Sequence, residues 1–527
     1  MHALLDVVVL LAVAVFGAAL ARKIGILSPI LLMFLGFLLS YVPGFPEIHL
    51  EPEIVLIGIL PPLLYVAALR TSVPAFRFNL RPILFLAIGL VVFTALAIGY
   101  VVHLILPAVP FSLCVALGAV VAPPDAVSAT AVARRIGLPR RIVTILEGES
   151  LVNDATALVL LRVAIAAAVE GAVTFLDVAN DVVVAAGGGI LIGVVGAFVF
   201  GYLHKLIKDP LLDNALSLLI PFALVIPAEE IGASGIVAVV VAGLALGHRI
   251  PLLMSAASRL QMDAFWRLAQ FLLEGLVFLL VGLQLRGIVR ALDQPVGTIV
   301  GVTAAVIGAV VLTRFLWMFP ATYLPRRIPS IRRKDPSPPV QVPVVIAWAG
   351  MRGVVTLAAA LALPPEGTGP GEVAYPRDLF IFISFAVIVF TLAVFGPTLP
   401  VLARRLKLPN DDPNEDFLSE AAVQQNAARA AKERLEATAE GAPANVVDRL
   451  RQNVVDRTNA AWERLGGSDG RETPSAAYGR LRQEMIDAER EVFRAARDEG
   501  RIPEEVLVRA YRDLDLEESL LRRKVHE

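Results

Sequence analysis

Cysteine is almost missing from these 527 residues: Cys114 stands alone, so no intrachain disulfide can form. Histidine is scarce as well, and the six residues are scattered without metal-ligand spacing. Neither sign of charge dominates. A formal net charge of -1 gives no general footprint for nucleic acid, which calls for a basic patch or stripe. A phosphate-cradling glycine loop with Lys and Ser or Thr is absent, which argues against a pump driven by ATP. Charge itself is thin, 18% of residues, and unevenly spread: residues 411–527 hold 26 of the 48 Asp and Glu and 19 of the 47 Lys and Arg. The stretch 409–527 therefore reads as a separate, soluble, acidic domain.

Apolar side chains are what the chain has in excess. They make up 57% of it, with a mean hydropathy of +0.71, more than a soluble core of this size requires. Most of the chain must be solvated by lipid. A spanning helix takes about 20 largely apolar residues. Thirteen candidate runs are present, at 3–20, 25–42, 53–69, 82–106, 111–133, 142–169, 181–203, 211–228, 233–247, 264–285, 298–322, 342–363 and 379–402. The first begins with an acidic residue, Asp6, and its Arg22 and Lys23 come after it, the reverse of a secretory signal, so it reads as a retained helix.

The connections between runs alternate in charge. Seven of them, starting with Arg22 and Lys23 and ending with Arg404, Arg405 and Lys407, carry 21 basic residues, whereas the others carry three: Arg286, Arg290 and Arg377. The positive-inside rule makes the first set cytoplasmic, with the N-terminus outside and the tail inside. An odd number of spans is then required, and thirteen is odd.

Four ionisable residues lie near the midpoints of their runs: Asp125, Asp154, Glu274 and Arg352. Left unpaired, each costs roughly 2.5 to 3.5 kcal/mol on insertion scales, of order ten together. Any one alone is equally well an interhelical contact holding the bundle together; four at one depth point to a site. Arg162 and Arg314 sit nearer the ends of their runs and are expected to snorkel, with no functional role.

The sixth run contains Glu149-Ser150-Leu151-Val152-Asn153-Asp154. Helical spacing pairs Glu149 with Asn153 and Ser150 with Asp154, so the four are expected on one face as a cation ligand set of carboxylate, hydroxyl and amide oxygens, the donors that small hard cations want. Glu147 is expected to partner Arg140 and Arg141 at the interface. In the fifth run, Val121-Ala122-Pro123-Pro124-Asp125 interrupts the helix, because two prolines lack N–H donors. Backbone freed at membrane depth is tolerated where it lines a cavity or is buried in protein. In the twelfth run, Gly350-Met351-Arg352-Gly353 is a matching feature, with a rival at Phe395-Gly396-Pro397. Fifth of the first six and fifth of the last six, in opposite directions, is the placement an inverted repeat gives.

These residues resemble the monovalent cation/proton antiporter family, which includes bacterial sodium/proton antiporters and animal sodium/proton exchangers. The likeness covers about residues 1–408 and rests on the run ending in Asn153-Asp154, the Asp125 break and the Gly350-x-Arg352-Gly353 segment. It implies an all-α polytopic membrane protein of about 13 helices in a bacterial inner membrane, a homodimer with a mobile core and two unwound helices crossing at the site. It further implies that Asp154 holds a monovalent cation or a proton in turn, that Asp125, Ser150 and a carbonyl near Pro124 coordinate, and that Glu149 pairs with Arg352. Glu274 is grouped with that supporting pair. Asn153 before the aspartate implies one proton per cation. No cofactor is expected beyond the transported ions. The family often has Thr-Asp-Pro at the break, where this chain has Pro124-Asp125-Ala126, so one side-chain hydroxyl is missing. Readings from other classes are a membrane-embedded aspartyl enzyme using Asp125 and Asp154, and a passive cation channel.

Overall fold

A computed structural model describes residues 2–43, 51–169, 175–365, 375–408, 411, 413–466 and 473–526. Much of the weakly charged loops at 43–52, 170–181 and 364–378, the start of the tail at 409 and most of the 466–468 separator lie outside the described residues. Within them every regular element is a helix, and the chain divides into two compact units, Met1–Asn410 and Asp411–Glu527.

The first unit opens with α1 (His2–Ile24) and α2 (Ser28–Leu39). A π-helical turn over Ile54–Ile59 then leads into α3 (Leu60–Arg70), where Pro61 and Pro62 cannot donate to the preceding turn and the ladder resets. Short α4 (Val73–Phe78) and α5 (Leu80–Leu84) run through a second π turn into α6 (Val91–Ile105). Next come α7 (Phe111–Val121), α8 (Ala126–Arg135), α9 (Arg140–Val169), α10 (Phe175–Leu206), α11 (Pro210–Glu230), α12 (Gly235–Leu253), α13 (Ala256–Arg290) and α14 (Val296–Tyr323). The unit closes with α15 (Pro329–Lys334), α16 (Gln341–Trp348), α17 (Val354–Leu361) and α18 (Arg377–Leu406).

Nine helical stretches among the described residues, from Val7–Ile24 to Arg377–Leu406, are long and apolar enough to cross a membrane. The other four apolar runs fall on α2, on the π turn with α3, and on the interrupted pairs α7/α8 and α16/α17. Helices satisfy their own backbone groups, which lipid cannot do. The surface follows the same solvent: Phe16 on α1 and Val183, Leu191 and Phe198 on α10 are all more than 60% exposed, a liability in water and the ordinary solvated face in hydrocarbon. Inside, contact is made backbone to backbone. A Cβ on Gly36 of α2 would lie 2.1 Å from the Leu279 carbonyl oxygen, and one on Gly282 of α13 would lie 2.0 Å from that of Met33, so glycine alone lets α2 and α13 touch.

At the end of this unit that carries the basic loops, Asp335 gathers Arg81, Arg141 (2.7 Å) and Arg326 (2.7 Å), tying the starts of α5 and α9 to the segment after α14. Burial by itself would raise the Asp335 carboxyl, but hydrogen bonds and charge from Arg141 and Arg326 outweigh it and hold the group below the usual carboxylate range.

The second unit is built from α19 (Pro413–Thr438), α20 (Ala444–Gly466), α21 (Pro474–Asp498) and α22 (Glu504–His526). The α21/α22 hairpin closes over Ile486, Leu514 and Leu521, flanked by Arg482 bound to both oxygens of Glu517 at 2.7 Å. The α19/α20 turn passes through Gly441 at φ +80, a left-handed conformation that favours glycine.

Candidate functional site

Two helices are cut at the same place. α7 stops at Val121 because Pro123 and Pro124 supply no N–H, and α8 restarts at Ala126. α16 stops at Trp348 and α17 restarts at Val354, leaving residues 349–353 outside helix. The two gaps touch: the Asp125 amide donates to the Met351 carbonyl at 2.6 Å. A Cβ on Gly353 would lie 2.6 Å from both Cβ and Cγ of Asp125, so the crossing requires glycine there. The second unwound segment is therefore 349–353, and the rival at Gly396-Pro397 lies within α18, which runs unbroken from Arg377 to Leu406.

Cutting a helix exposes carbonyls and a negative dipole end. Each cut end here receives a buried guanidinium. Arg352, 1% exposed, donates from Nε to Val121 O (3.1 Å), from Nη2 to Ala122 O (3.2 Å) and from Nη1 to Gly350 O. Arg314 on α14, 2% exposed, donates from Nε to Ala347 O (3.1 Å) and from Nη2 to Ile346 O (3.2 Å). Arg314 also grips both oxygens of Glu149, at 2.7 and 3.0 Å.

That contact overturns two expectations. Glu149 pairs with Arg314 and not with Arg352, whose guanidinium is consumed by the carbonyls at the end of α7. Arg314 is no snorkelling residue but a buried one, closing the end of α16. The signal was present: Arg314 is the sole charged residue of the run 298–322 and lies four positions from its midpoint.

The four-residue ligand face on α9 also divides. Successive helical residues turn by about 100°, so the set from Glu149 to Asp154 spans too wide an arc to see one environment. Ser150 and Asp154 line a cavity of about 350 Å³. Asn153, fully buried, turns inward and donates from Nδ2 to the Pro124 carbonyl at 3.0 Å. This bond fastens α9 to the α7 break, while the Asn153 Oδ1 is buried without a hydrogen-bond partner among the described residues. Asp125 lines the cavity, and its Oδ2 accepts from Ser128 N (3.3 Å) and Oγ (2.7 Å), capping α8. Glu274 of α13 faces the same cavity, accepts from Gln270 Nε2 at 2.6 Å and has no ion-pair partner among the described residues, which removes it from the supporting pair. Glu147 pairs with Arg134 at 2.5 Å rather than with Arg140 or Arg141.

The lining of the cavity runs from Arg70 and Arg134, whose exposed side chains stand at the basic-loop end of the unit, to Asp154, which is 5% exposed. At the other end of α9, Arg162 pairs with Glu229 of α11. A carboxylate pair, Asp125 and Asp154, with a hydroxyl from Ser150, thus lines one cavity where two cut helices cross. Oxygen donors converging at such a point suit a small monovalent cation or a proton.

A family profile described as "Sodium/hydrogen exchanger, transmembrane" matches residues 10–405. The chain belongs to this family. Among its relatives is a protein named "Uncharacterized Na(+)/H(+) exchanger" from Mycobacterium tuberculosis, 35% identical over 98% of this chain and 95% of the relative. Another is a "Sodium, potassium, lithium and rubidium/H(+) antiporter" of Bacillus subtilis, 29% identical over 98% of this chain and 78% of that one. The solved sodium proton antiporter MjNhaP1 of Methanocaldococcus jannaschii shares the fold, with a TM-score of 0.61 at 19% identity over 78% of this chain and all of the other. Membership of the exchanger family makes this chain a cation/proton transporter rather than an enzyme, which sets aside the aspartyl-enzyme reading of Asp125 and Asp154.

Proposed function

We propose that this exchanger-family chain carries Na+ one way and H+ the other, and that the carboxylate of Asp154 is occupied by the two ions in turn. The observation that carries the reading is the cavity that ends on Asp154, Asp125 and Ser150 where the two interrupted helices cross. A cation and a proton that compete for one acidic group cannot cross together, so each crossing of the loaded site is tied to a return crossing with the other ion. The gradient supplies the work and no cofactor is required. The relative named for sodium, potassium, lithium and rubidium makes Li+ and K+ additional candidate cargoes.

In this proposal all thirteen apolar segments cross a bacterial inner membrane, the N-terminus lies outside and the tail is cytoplasmic. The opposed breaks in α7/α8 and α16/α17 support an inverted repeat, and the protein works as a homodimer in lipid. The core bearing α7, α8, α9, α16 and α17 moves so that the site faces each side alternately, with one proton exchanged per cation. The tail presents a solvated charged face; its alternative is a regulatory or dimer-contact role.

The deciding experiment is fluorescence dequenching in everted membrane vesicles, with each cation across a pH series. Wild type should show sodium-dependent proton movement. Asp154→Asn should abolish it while the protein still inserts at wild-type levels. Exchange retained by that variant would refute the assignment of Asp154, and flux uncoupled from a pH gradient would favour a channel.

A further inference from the structure

α13 is long and apolar enough to cross a membrane, yet one of its faces is not apolar. Asp263, Gln270 and Glu274 stand at i, i+7 and i+11, which at about 100° per residue keeps them within an arc of about 40°. They are also linked. Arg70, from the last turn of α3, donates to Asp263 Oδ1 (3.3 Å) and to Gln270 Oε1 (3.1 Å), and Gln270 passes a hydrogen bond on to Glu274. The row leads from the exposed rim, where Asp263 is half exposed, to the cavity that ends on Asp154.

The charged groups lining that cavity are Arg70, Arg134, Glu147, Asp125, Asp154 and Glu274. Arg134 and Glu147 are paired with each other, Arg70 is held by Asp263, and Asp125 caps α8. Glu274 accepts a hydrogen bond from the neutral amide of Gln270 and makes no close ion pair among the described residues, the charge of Arg70 reaching it only from farther along the row. Carboxylates at membrane depth outside a close ion pair are rare and are found where a water-filled path reaches them. Glu274 does not ride on the helix that bears Asp154: α13 packs along α2 and α1, whereas α9 packs along α7.

We infer that Glu274 is a loading residue, a positioning group on the wall opposite Asp154 that draws cations in from the mouth of the cavity and hands them to the exchange site. This rests on the exchange reading at Asp154 and adds a sidedness that reading does not contain. Because Glu274 lines the path from one side only, its charge acts on ions arriving by that mouth and not on ions arriving from the far side. When ionised, its negative charge focuses counter-ions in a low-dielectric cleft, raising local concentration and on-rate by about tenfold or more.

The test compares everted and right-side-out vesicles carrying wild type, Glu274→Gln or Glu274→Asp, with Na+ as the probe. For Glu274→Gln the apparent KM for Na+ presented at the mouth side should rise by about tenfold. The maximal rate should stay within about twofold, and the KM for Na+ presented at the far side should not move. The apparent constant for protons at the mouth side should shift in step, since exchange without gradients has no net direction. Glu274→Asp should recover most of the loss, and raising ionic strength should narrow the gap between wild type and Glu274→Gln. Unchanged constants on both sides, or equal losses on both sides, would overturn the inference. Should Glu274→Gln fail to insert, Gln270→Glu adds a carboxylate one turn nearer the mouth and should lower the mouth-side KM; a rise or no change would count equally against it. Failure of the exchange reading itself is distinguishable, because it appears in wild type and Asp154→Asn, whereas failure of this inference appears only in the variants of Glu274 and Gln270.

Discussion

Removing Arg314 should do more damage than any other single change in the interior of the site. Replacing it with Met takes away two charge-assisted bonds to Glu149, at 2.7 and 3.0 Å, and the bonds that satisfy the Ala347 and Ile346 carbonyls. Both partners of the ion pair are at most 2% exposed, so Glu149 is left charged with water unable to reach it. Deleting one member of a buried pair costs about 3–5 kcal/mol. At about 1.4 kcal/mol per decade, that is at least two decades in the unfolding equilibrium. Glu149→Leu leaves Arg314 buried and without its carboxylate and should likewise cost about 3–5 kcal/mol. The double variant Arg314→Met with Glu149→Leu removes both charges and should be less damaged than the sum, with a coupling of about 2–3 kcal/mol. The assay is unfolding of the purified protein in mixed detergent micelles, followed by tryptophan fluorescence, with vesicle exchange in parallel. The control cycle pairs Glu149 with Arg352, which feels its charge but makes no hydrogen bond or ion pair with it and should show the weaker coupling. A larger coupling energy to Arg352 than to Arg314 would refute the reasoning.

Two further outcomes follow from geometry already described. Gly353→Ala drives a Cβ into Asp125, whose amide is fixed to Met351 O, so the crossing must spread; exchange in vesicles should fall by about tenfold or more with a stability loss of about 1–3 kcal/mol, and a near wild-type rate in Gly353→Val would contradict the close crossing. The Asp335 carboxyl sits below its ordinary value, so what it adds to stability is complete above the unfolded value of about 3.9 and is lost as pH falls through the folded one. The Tm difference between wild type and Asp335→Asn should accordingly be constant from about pH 5 to 8 and shrink below about pH 4; a difference that grows on acidification would reverse the assigned sign.

Much of this architecture could be read directly from residue order. Apolar runs located every helix of the first unit longer than a few turns, since hydrocarbon imposes a minimum length on a span. The Asp125 break was legible because two adjacent prolines leave the chain no other local choice, and Gly350 and Gly353 marked the second break by permitting close approach. Partner choice was not legible. Glu149 and Arg314 are 165 positions apart, and whether α14 or the α16/α17 gap presents its arginine to α9 depends on how the helices pack. The split of the α9 face had the same origin: helical spacing gives the angular positions of Ser150, Asn153 and Asp154, but not the direction in which the cavity lies. Glu274 was found by its depth and misassigned in its partner, because depth measures cost and says nothing of neighbours.

The two arginines seated on the cut helix ends have an electrical consequence. With Asp125, Asp154 and Glu149 ionised, three carboxylates face two guanidiniums, so these five groups carry one uncompensated negative charge, Glu274 on the α13 wall standing outside the count. In the proposed one-for-one exchange a single Na+ or a single H+ would cancel it, leaving these groups neutral with either passenger aboard and charged only when vacant. Carrying a bare charge through hydrocarbon is opposed by several kcal/mol, which discourages empty return trips and suppresses leak. Membrane voltage, acting on charge that moves, would then have almost no purchase on the two loaded journeys of that proposed exchange.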